Sequence, residues 1–245
     1  MQPLSRTTRI VGALWLAVTL AVMAQGFREA IFLTPADAAQ GDVGRIFYYH
    51  VPIAMLSLLF PYVNFAASLA FLFWRTRNPL RALTSDALAL ASAEVTIAYT
   101  SICLITGSIW GRAAWGIWWT WDERLTSELI LCLIYIAYVM LRRFSATGQT
   151  QTLAAVLSVF AAVDVPIVYM SIRWWRTQHP APVFGGGPDS GMDKSMLPAF
   201  FWNLATWTLW GLFLLTARFL LERRNQMTEQ DEALRAIEAS LEISQ

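Results

Sequence analysis

The chain contains two histidines, and both lie in aromatic segments where they are candidate metal ligands. His50 occurs in RIFYYHVP and His179 in RWWRTQHPAPVF. A single loop histidine is more often solvated than bound to a metal, but a pair with no others in 245 residues favours ligation. Histidine is the commonest metal ligand among side chains, and imidazole suits iron. Two imidazoles on opposite faces of one iron leave no open position for oxygen, which favours carrying the iron group over oxygen chemistry.

Tryptophan is concentrated between the two histidines, in the segment WGRAAWGIWWTWDERLT from Trp110 to Thr126. It holds five of the chain's 12 tryptophans: Trp110, Trp115, Trp118, Trp119 and Trp121. Read as a helix, three of these indoles and the carboxylate of Asp122 share one face, at i, i+3, i+4 and i+7 counted from Trp115. Two glycines interrupt the run, so we predict a short amphipathic helix that lies flat. Its face suits a flat, largely apolar ligand. The alternative is an interfacial aromatic belt, which usually takes about one or two tryptophans per helix end.

Arginines close to these segments complete a candidate haem site: Arg45, Arg112 and Arg124. Haem is flat and apolar at its centre, carries two propionates, and has an iron that is open on both faces. Two neutral imidazoles can take the axial positions, and arginine forks can bind the carboxylates bidentately. We therefore predict that haem b is ligated by His50 and His179 and is surrounded by the tryptophans, Asp122 and these three arginines.

The elements that position these residues are predicted to be membrane spans. The chain is 56% hydrophobic and only 14% charged, whereas a soluble domain carries about 25% charged residues. Six apolar runs are long enough to cross a bilayer, and they cover residues 10–27, 54–74, 87–109, 127–141, 153–172 and 197–221. The prediction is an all-α polytopic membrane protein, with one six-helix domain over residues 1–221 and a charged tail over 222–245.

The positions of the arginines predict the orientation of the spans. Arginines precede the first span, fill the second and fourth connections, and follow the sixth span: Arg6, Arg9, Arg75, Arg77, Arg81, Arg142, Arg143, Arg218, Arg223 and Arg224. Lys and Arg accumulate in cytoplasmic loops, so both termini are predicted to be cytoplasmic. The two histidines and the tryptophan segment then face outward, which is the periplasmic side of a bacterial inner membrane.

Three acidic residues fall inside the predicted spans. Glu94 and Asp164 lie near mid-membrane, where ionisable groups are costly and count as functional by default. A structural explanation has equal weight: Glu94 pairs with a hydroxyl or amide of a neighbouring span, and Asp164 lies at a water-lined kink. Glu128 is interpreted as part of the N-terminal cap of the fourth span, with Thr126 and Ser127.

The sequence contains no motif for nucleotide hydrolysis or thiol chemistry. No Walker A loop occurs, and the two cysteines, Cys103 and Cys132, sit singly in separate apolar runs. The chain is therefore not expected to hydrolyse nucleotide itself. With the two-histidine iron site, we predict a haem transfer or transport component, and not an enzyme. The expected surroundings are the lipid bilayer, with no nucleic-acid partner.

The tryptophan segment also resembles a family signature. WGRAAWGIWWTWDERLTSELIL is similar to the "WWD" signature of the haem-handling proteins of cytochrome c maturation. RIFYYHVP, ITGSIWG and DVPIVYMSIRWWRTQH, together with the six-span layout, resemble one branch of these proteins, the CcmC family, nearly end to end. The resemblance implies that two outward-facing histidines flank the WWD segment and hold haem, and His50 and His179 stand at those positions. The larger haem lyases have more spans and further membrane-embedded histidines, which this chain lacks.

The resemblance also implies partners. The family works in an ABC-type complex with CcmA, which binds ATP, with the membrane protein CcmB and with the small protein CcmD, and it delivers haem to the periplasmic chaperone CcmE. One alternative is a permease that moves haem through the six-helix bundle, for which Glu94 and Asp164 are the supporting residues. Another is an assembly scaffold whose tryptophan segment binds a protein and no cofactor.

Overall fold

Six long helices form the protein. The computed structural model describes residues 5–145, 149–175, 177–180, 183 and 191–243, and these residues form no β-strand. The helices are α1 (Arg6–Arg28), α2 (Phe47–Trp74), α3 (Pro79–Trp115), α4 (Glu123–Phe144), α5 (Thr150–Trp174) and α6 (Leu197–Ile243). All six are long and apolar enough to cross a membrane. Each predicted apolar run lies inside one of them, which confirms the six-span all-α prediction.

Helices α2 to α6 pack around one another, and α1 lies at the periphery against α6. The indole of Trp15 donates to the carbonyl of Leu209 at 3.2 Å, and Asn203 Nδ2 donates to the carbonyl of Gly26 at 3.0 Å. A Cβ on Gly26 would lie 3.3 Å from the Asn203 amide, so glycine allows this close approach. The outer side of α1 is apolar and exposed, as expected for a helix that faces lipid.

Successive helices run in opposite directions, which gives the bundle two chemically different ends. We call the end with His50, Trp110 and Arg124 the histidine end, and the end with Arg75 and Arg142 the arginine end. At the arginine end, Arg142 and the buried Asp86 form a bidentate ion pair with N–O distances of 2.5 and 2.8 Å.

Glu94 also belongs to the arginine end. Its carboxylate pairs with Arg218, and Arg143 lies 3.4 Å away. Glu94 therefore has guanidinium partners, in place of the hydroxyl or amide that the structural explanation assumed.

Helix α6 continues without a break through residue 222, so the charged tail extends the sixth helix. Its 47 residues correspond to a length of about 70 Å, against about 30 Å for the hydrocarbon core of a bilayer. Gln226 Nε2 donates to the carbonyl of Leu83 at 3.2 Å, which ties the base of the extension to α3. From Met227 to Leu241 the side chains are exposed.

The Trp110–Thr126 segment differs from the predicted amphipathic helix. Helix α3 continues to Trp115 and ends at Gly116, whose φ of +78° lies in the left-handed region, and the Arg112 side chain bonds to the Gly116 carbonyl. Residues 117–122 are not helical. Asp122 then caps α4 by accepting a backbone N–H of its first turn at 3.0 Å. The prediction of one helical face was wrong because a left-handed glycine ends a helix.

Candidate functional site

A cavity of about 850 Å³ lies at the histidine end. Four helices contribute to it or lead into it: His50 comes from α2, Trp110 from α3, Arg124 from α4, and His179 follows α5. Arg45, just before α2, also lines it, and apolar side chains of α2 and α5 supply much of the remaining wall. The volume is in the range of about 300–1,000 Å³ that is typical of small-molecule and cofactor sites.

His50 is hydrogen-bonded through its Nδ1. Nδ1 lies 2.8 Å from the hydroxyl oxygen of Thr106. That hydroxyl oxygen also lies 2.7 and 3.2 Å from the backbone carbonyls of Ile102 and Cys103, either of which can accept its single proton. If the hydroxyl proton points to these carbonyls, the Thr106 oxygen accepts and His50 donates from Nδ1–H. Nε2 then keeps the lone pair that a metal requires.

His179 reaches the same protonation pattern through a different acceptor. Its Nδ1 lies 2.9 Å from the carbonyl oxygen of Pro180. A carbonyl can only accept, so Nδ1 carries the proton and Nε2 has the lone pair. Burial, and then the positive charge of Arg124, lower the pKa of His179 to about 4. The imidazole is therefore neutral at pH 7, the form that binds metals.

Arg124 is held at the cavity wall by groups that lie beneath it. Its Nη1 donates to the carbonyl of Val168 at 2.9 Å and lies 3.8 Å from Glu128 Oε2. Glu128 is 3% exposed and accepts a hydrogen bond from the Ser57 hydroxyl at 2.9 Å. Helix α4 begins at Glu123, so Glu128 lies in its second turn, and its interpretation as part of the N-terminal cap was wrong. The i, i+4 spacing of Arg124 and Glu128 is the sequence signal for their pairing.

Arg45 forms hydrogen bonds with the segment between α1 and α2. Nε donates to Asp42 at 2.7 Å, and Nη1 donates to the carbonyls of Ala30 and Thr34 at 2.5 and 2.9 Å. These bonds close the segment between α1 and α2. Nη2 takes no part in them, and the Arg45 side chain lines the cavity.

The tryptophans divide into two groups. Trp110 lines the cavity, lies 6.5 Å from the His179 ring between centroids, and packs edge-on against Trp115 at 4.9 Å. Trp118, Trp119 and Trp121 do not line the cavity, and neither do Arg112 and Asp122. Trp118 and Trp121 are 59% and 76% exposed. The structure therefore brings together both histidines, one tryptophan and two arginines of the predicted set.

The fold and this site define a multi-pass membrane protein with a two-histidine cavity at one end of the bundle. The family model for heme exporter protein C, CcmC, matches residues 2–236, so the chain belongs to the CcmC family. This match confirms the resemblance that the tryptophan signature and the six-span layout indicated.

Individual relatives cover most of the chain. A heme exporter protein C of Bradyrhizobium diazoefficiens is 41% identical over 197 residues, which are 79% of this chain and 71% of the relative. The heme exporter protein C of Escherichia coli K12 is 33% identical over 215 residues, or 87% and 82% of the two chains. A putative cytochrome c biosynthesis ccmC-like mitochondrial protein of Arabidopsis thaliana is 32% identical and covers 97% and 90%.

Proposed function

We propose that the chain binds haem at the histidine end and hands it to the chaperone CcmE during cytochrome c maturation. One observation carries the proposal: two imidazoles line one cavity, and each is hydrogen-bonded through Nδ1, so that Nε2 is the ring nitrogen we assign to the metal. In this role the protein is a transfer component and not an enzyme. The relatives named heme exporter protein C support the haem assignment.

The donor set suits haem better than a bare metal ion. Within the described ranges, no three His, Cys, Asp or Glu side chains group closely enough to hold a metal, and a structural zinc site uses four such ligands. Two imidazoles are sufficient for an iron whose other four positions are filled by a porphyrin. The apolar walls of α2 and α5 suit the macrocycle, and Arg124 and Arg45 supply charge for the propionates.

The exposed part of the tryptophan segment supports transfer to a protein partner. Trp118 and Trp121 present large indoles outside the cavity, and exposed aromatic side chains are typical anchors of protein interfaces. Trp119 and Asp122 lie between or beside them in the same non-helical stretch. We assign this stretch to the hand-over to CcmE, with CcmA, CcmB and CcmD as the other members of the complex.

The permease alternative has less support. Glu94 is paired with guanidinium groups at the arginine end. Asp164 lies in α5, and its buried Oδ2 has no hydrogen-bond partner among the described residues. Glu94 and Asp164 therefore lie in different surroundings, and the two carboxylates do not outline a common path for haem through the bundle.

We expect the two tryptophan groups to respond differently to substitution. Trp110→Ala should reduce the amount of haem that copurifies with the protein, because it removes an aromatic part of the cavity wall. Truncation of a fully buried aromatic residue to alanine typically lowers the stability by about 3–5 kcal/mol, and the loss at half-buried Trp110 should be smaller. Trp110→Phe should restore part of the loss. Haem per protein is measured from the Soret band of the purified chain.

Trp118→Ala is the matched control, because this indole lies outside the cavity. It should retain haem at the wild-type level and lower the loading of CcmE. Full haem retention by Trp110→Ala combined with failed CcmE loading would make Trp110 part of a docking surface and contradict its assignment to the haem site.

We propose that the histidine end faces the periplasm and both termini face the cytoplasm. Single cysteines at two exposed positions test this, since the native Cys103 and Cys132 are buried and should stay silent. Ala113→Cys at the histidine end should react with a membrane-impermeant thiol reagent in cells with a permeabilised outer membrane. Thr76→Cys at the arginine end should react only after the inner membrane is broken. The reverse pattern would place the cavity on the cytoplasmic side.

A further inference from the structure

Two neighbouring residues of α3, Thr106 and Gly107, contact the ring of His50. The Thr106 hydroxyl oxygen lies 2.8 Å from His50 Nδ1. Gly107 lies beside it, and a Cβ on Gly107 would stand 3.2 Å from His50 Cε1, closer than most side chains tolerate. The ring is therefore held by a hydrogen bond to one residue and by the missing side chain of the next.

We propose that Thr106 is a positioning residue that selects the Nδ1–H tautomer of His50 and thereby presents Nε2 to the cavity. The reason lies in the single proton of the Thr106 hydroxyl, which in this proposal points to the Ile102 carbonyl 2.7 Å away. The oxygen can then only accept from the imidazole. An unconstrained imidazole side chain in water favours the opposite tautomer, with the proton on Nε2, so the hydrogen bond has to reverse that preference. The part concerning the metal rests on the proposed haem function, whereas the tautomer itself does not.

His179 provides an internal comparison. Its Nδ1–H donates to the backbone carbonyl of Pro180. A substitution at Thr106 leaves this acceptor in place. An outer hydrogen-bond partner that fixes the tautomer of a metal-binding histidine is a general feature of such sites, and its loss typically costs about 10–100-fold in metal affinity. In this proposal both histidines carry their proton on Nδ1, but His50 donates it to a side-chain hydroxyl and His179 donates it to a backbone carbonyl.

The first test uses the full-length protein without haem. Because the chain has only two histidines, ring-¹⁵N-labelled histidine gives two sets of resonances, and ¹⁵N shifts distinguish the tautomers. Thr106→Val keeps the shape of the side chain and removes the acceptor. We expect it to move His50 toward the Nε2–H tautomer and to leave His179 unchanged, while Thr106→Ser keeps the wild-type pattern. Persistence of the Nδ1–H tautomer of His50 in Thr106→Val would overturn the proposal.

The second test measures haem. Thr106→Val should lower haem affinity by about 10–100-fold, and Thr106→Ser should recover most of it. Thr106→Ala replaces Thr106→Val if the valine variant does not fold. A tautomer change with unaltered haem affinity, in a protein whose His50→Ala variant loses haem, would overturn the positioning role. If His50→Ala also retains haem, the proposed ligation fails while the tautomer assignment stands.

Discussion

When either histidine of the cavity is replaced with alanine, the haem that remains bound should no longer be six-coordinate and low-spin. The amount of haem that copurifies with the protein should also fall. In the proposed haem site each substitution would remove one of the two imidazoles that hold the iron, and the double substitution would remove both. We expect each loss to exceed the effect of about 10–100-fold that is typical for a partner outside the coordination shell. Absorption spectra of the purified His50→Ala, His179→Ala and double variants report spin state and haem content together.

Added imidazole separates ligation from folding in this experiment. In a correctly folded His50→Ala protein, free imidazole can occupy the space of the missing ring and restore the low-spin spectrum. Met55→Ala, which alters an apolar residue of the same cavity wall, is the matched control and should keep the low-spin spectrum. A double-histidine variant with the wild-type spectrum would rule out ligation by this pair.

Arg142→Ala should produce a large loss of stability, because it leaves the buried carboxylate of Asp86 without a cationic partner. Among the described residues, that carboxylate would keep only the amides of Gln151 and Gln226, each 3.4 Å away. The side chains of Arg142 and Asp86 are 9% and 3% exposed, and both nitrogens of the fork contact the carboxylate. Breaking such a buried pair costs about 3–5 kcal/mol. The free energy of unfolding is measured in detergent micelles from the loss of helical circular dichroism with denaturant.

The next residue is the control for that experiment. The Arg143 side chain is 67% exposed and lies 3.4 Å from Glu94, an arrangement worth about 0–1 kcal/mol. Arg143→Ala should therefore unfold at nearly the wild-type denaturant concentration. The double variant Asp86→Asn with Arg142→Met should recover part of the stability lost by Arg142→Ala, because it removes the buried charge. Equal losses for Arg142→Ala and Arg143→Ala would show that burial does not determine the strength of these pairs.

The spans could be predicted from the sequence because hydropathy and helix length are local properties. All six predicted runs fall within helices, and the helices extend beyond them mainly through polar or aromatic residues at their ends. The tryptophan segment could not be predicted in the same way. The spacing of Trp115, Trp118 and Trp119 fits a helix, but the backbone conformation of Gly116 decides the path of the chain, and a glycine's φ cannot be read from its neighbours.

The site could be predicted only in part, for a related reason. His50 and His179 were identifiable by residue type and by the absence of other histidines. The role of Thr106 was not: it lies in ITGSIWG, which contributed to the family resemblance, but its contact with His50 spans 56 residues of chain and nothing local marks it. The contact between Ser57 and Glu128 spans 71 residues. Such pairs arise from the packing of helices, and no local pattern marks them.

The left-handed conformation of Gly116 also restricts which residues can stand at position 116 of the tryptophan segment. Apart from Gly116 and its two chain neighbours, no heavy atom of the described residues lies within 4 Å of the position that a Cβ would occupy there, so tertiary crowding does not exclude a side chain. An L-residue would still place its Cβ too close to the following carbonyl oxygen, at a cost of about 1–2 kcal/mol, whereas a D-alanine would adopt the same φ without that clash. The turn between Trp115 and Trp118 thus depends on a residue without an L-configured Cβ, and L-alanine at this position would favour a continuation of α3.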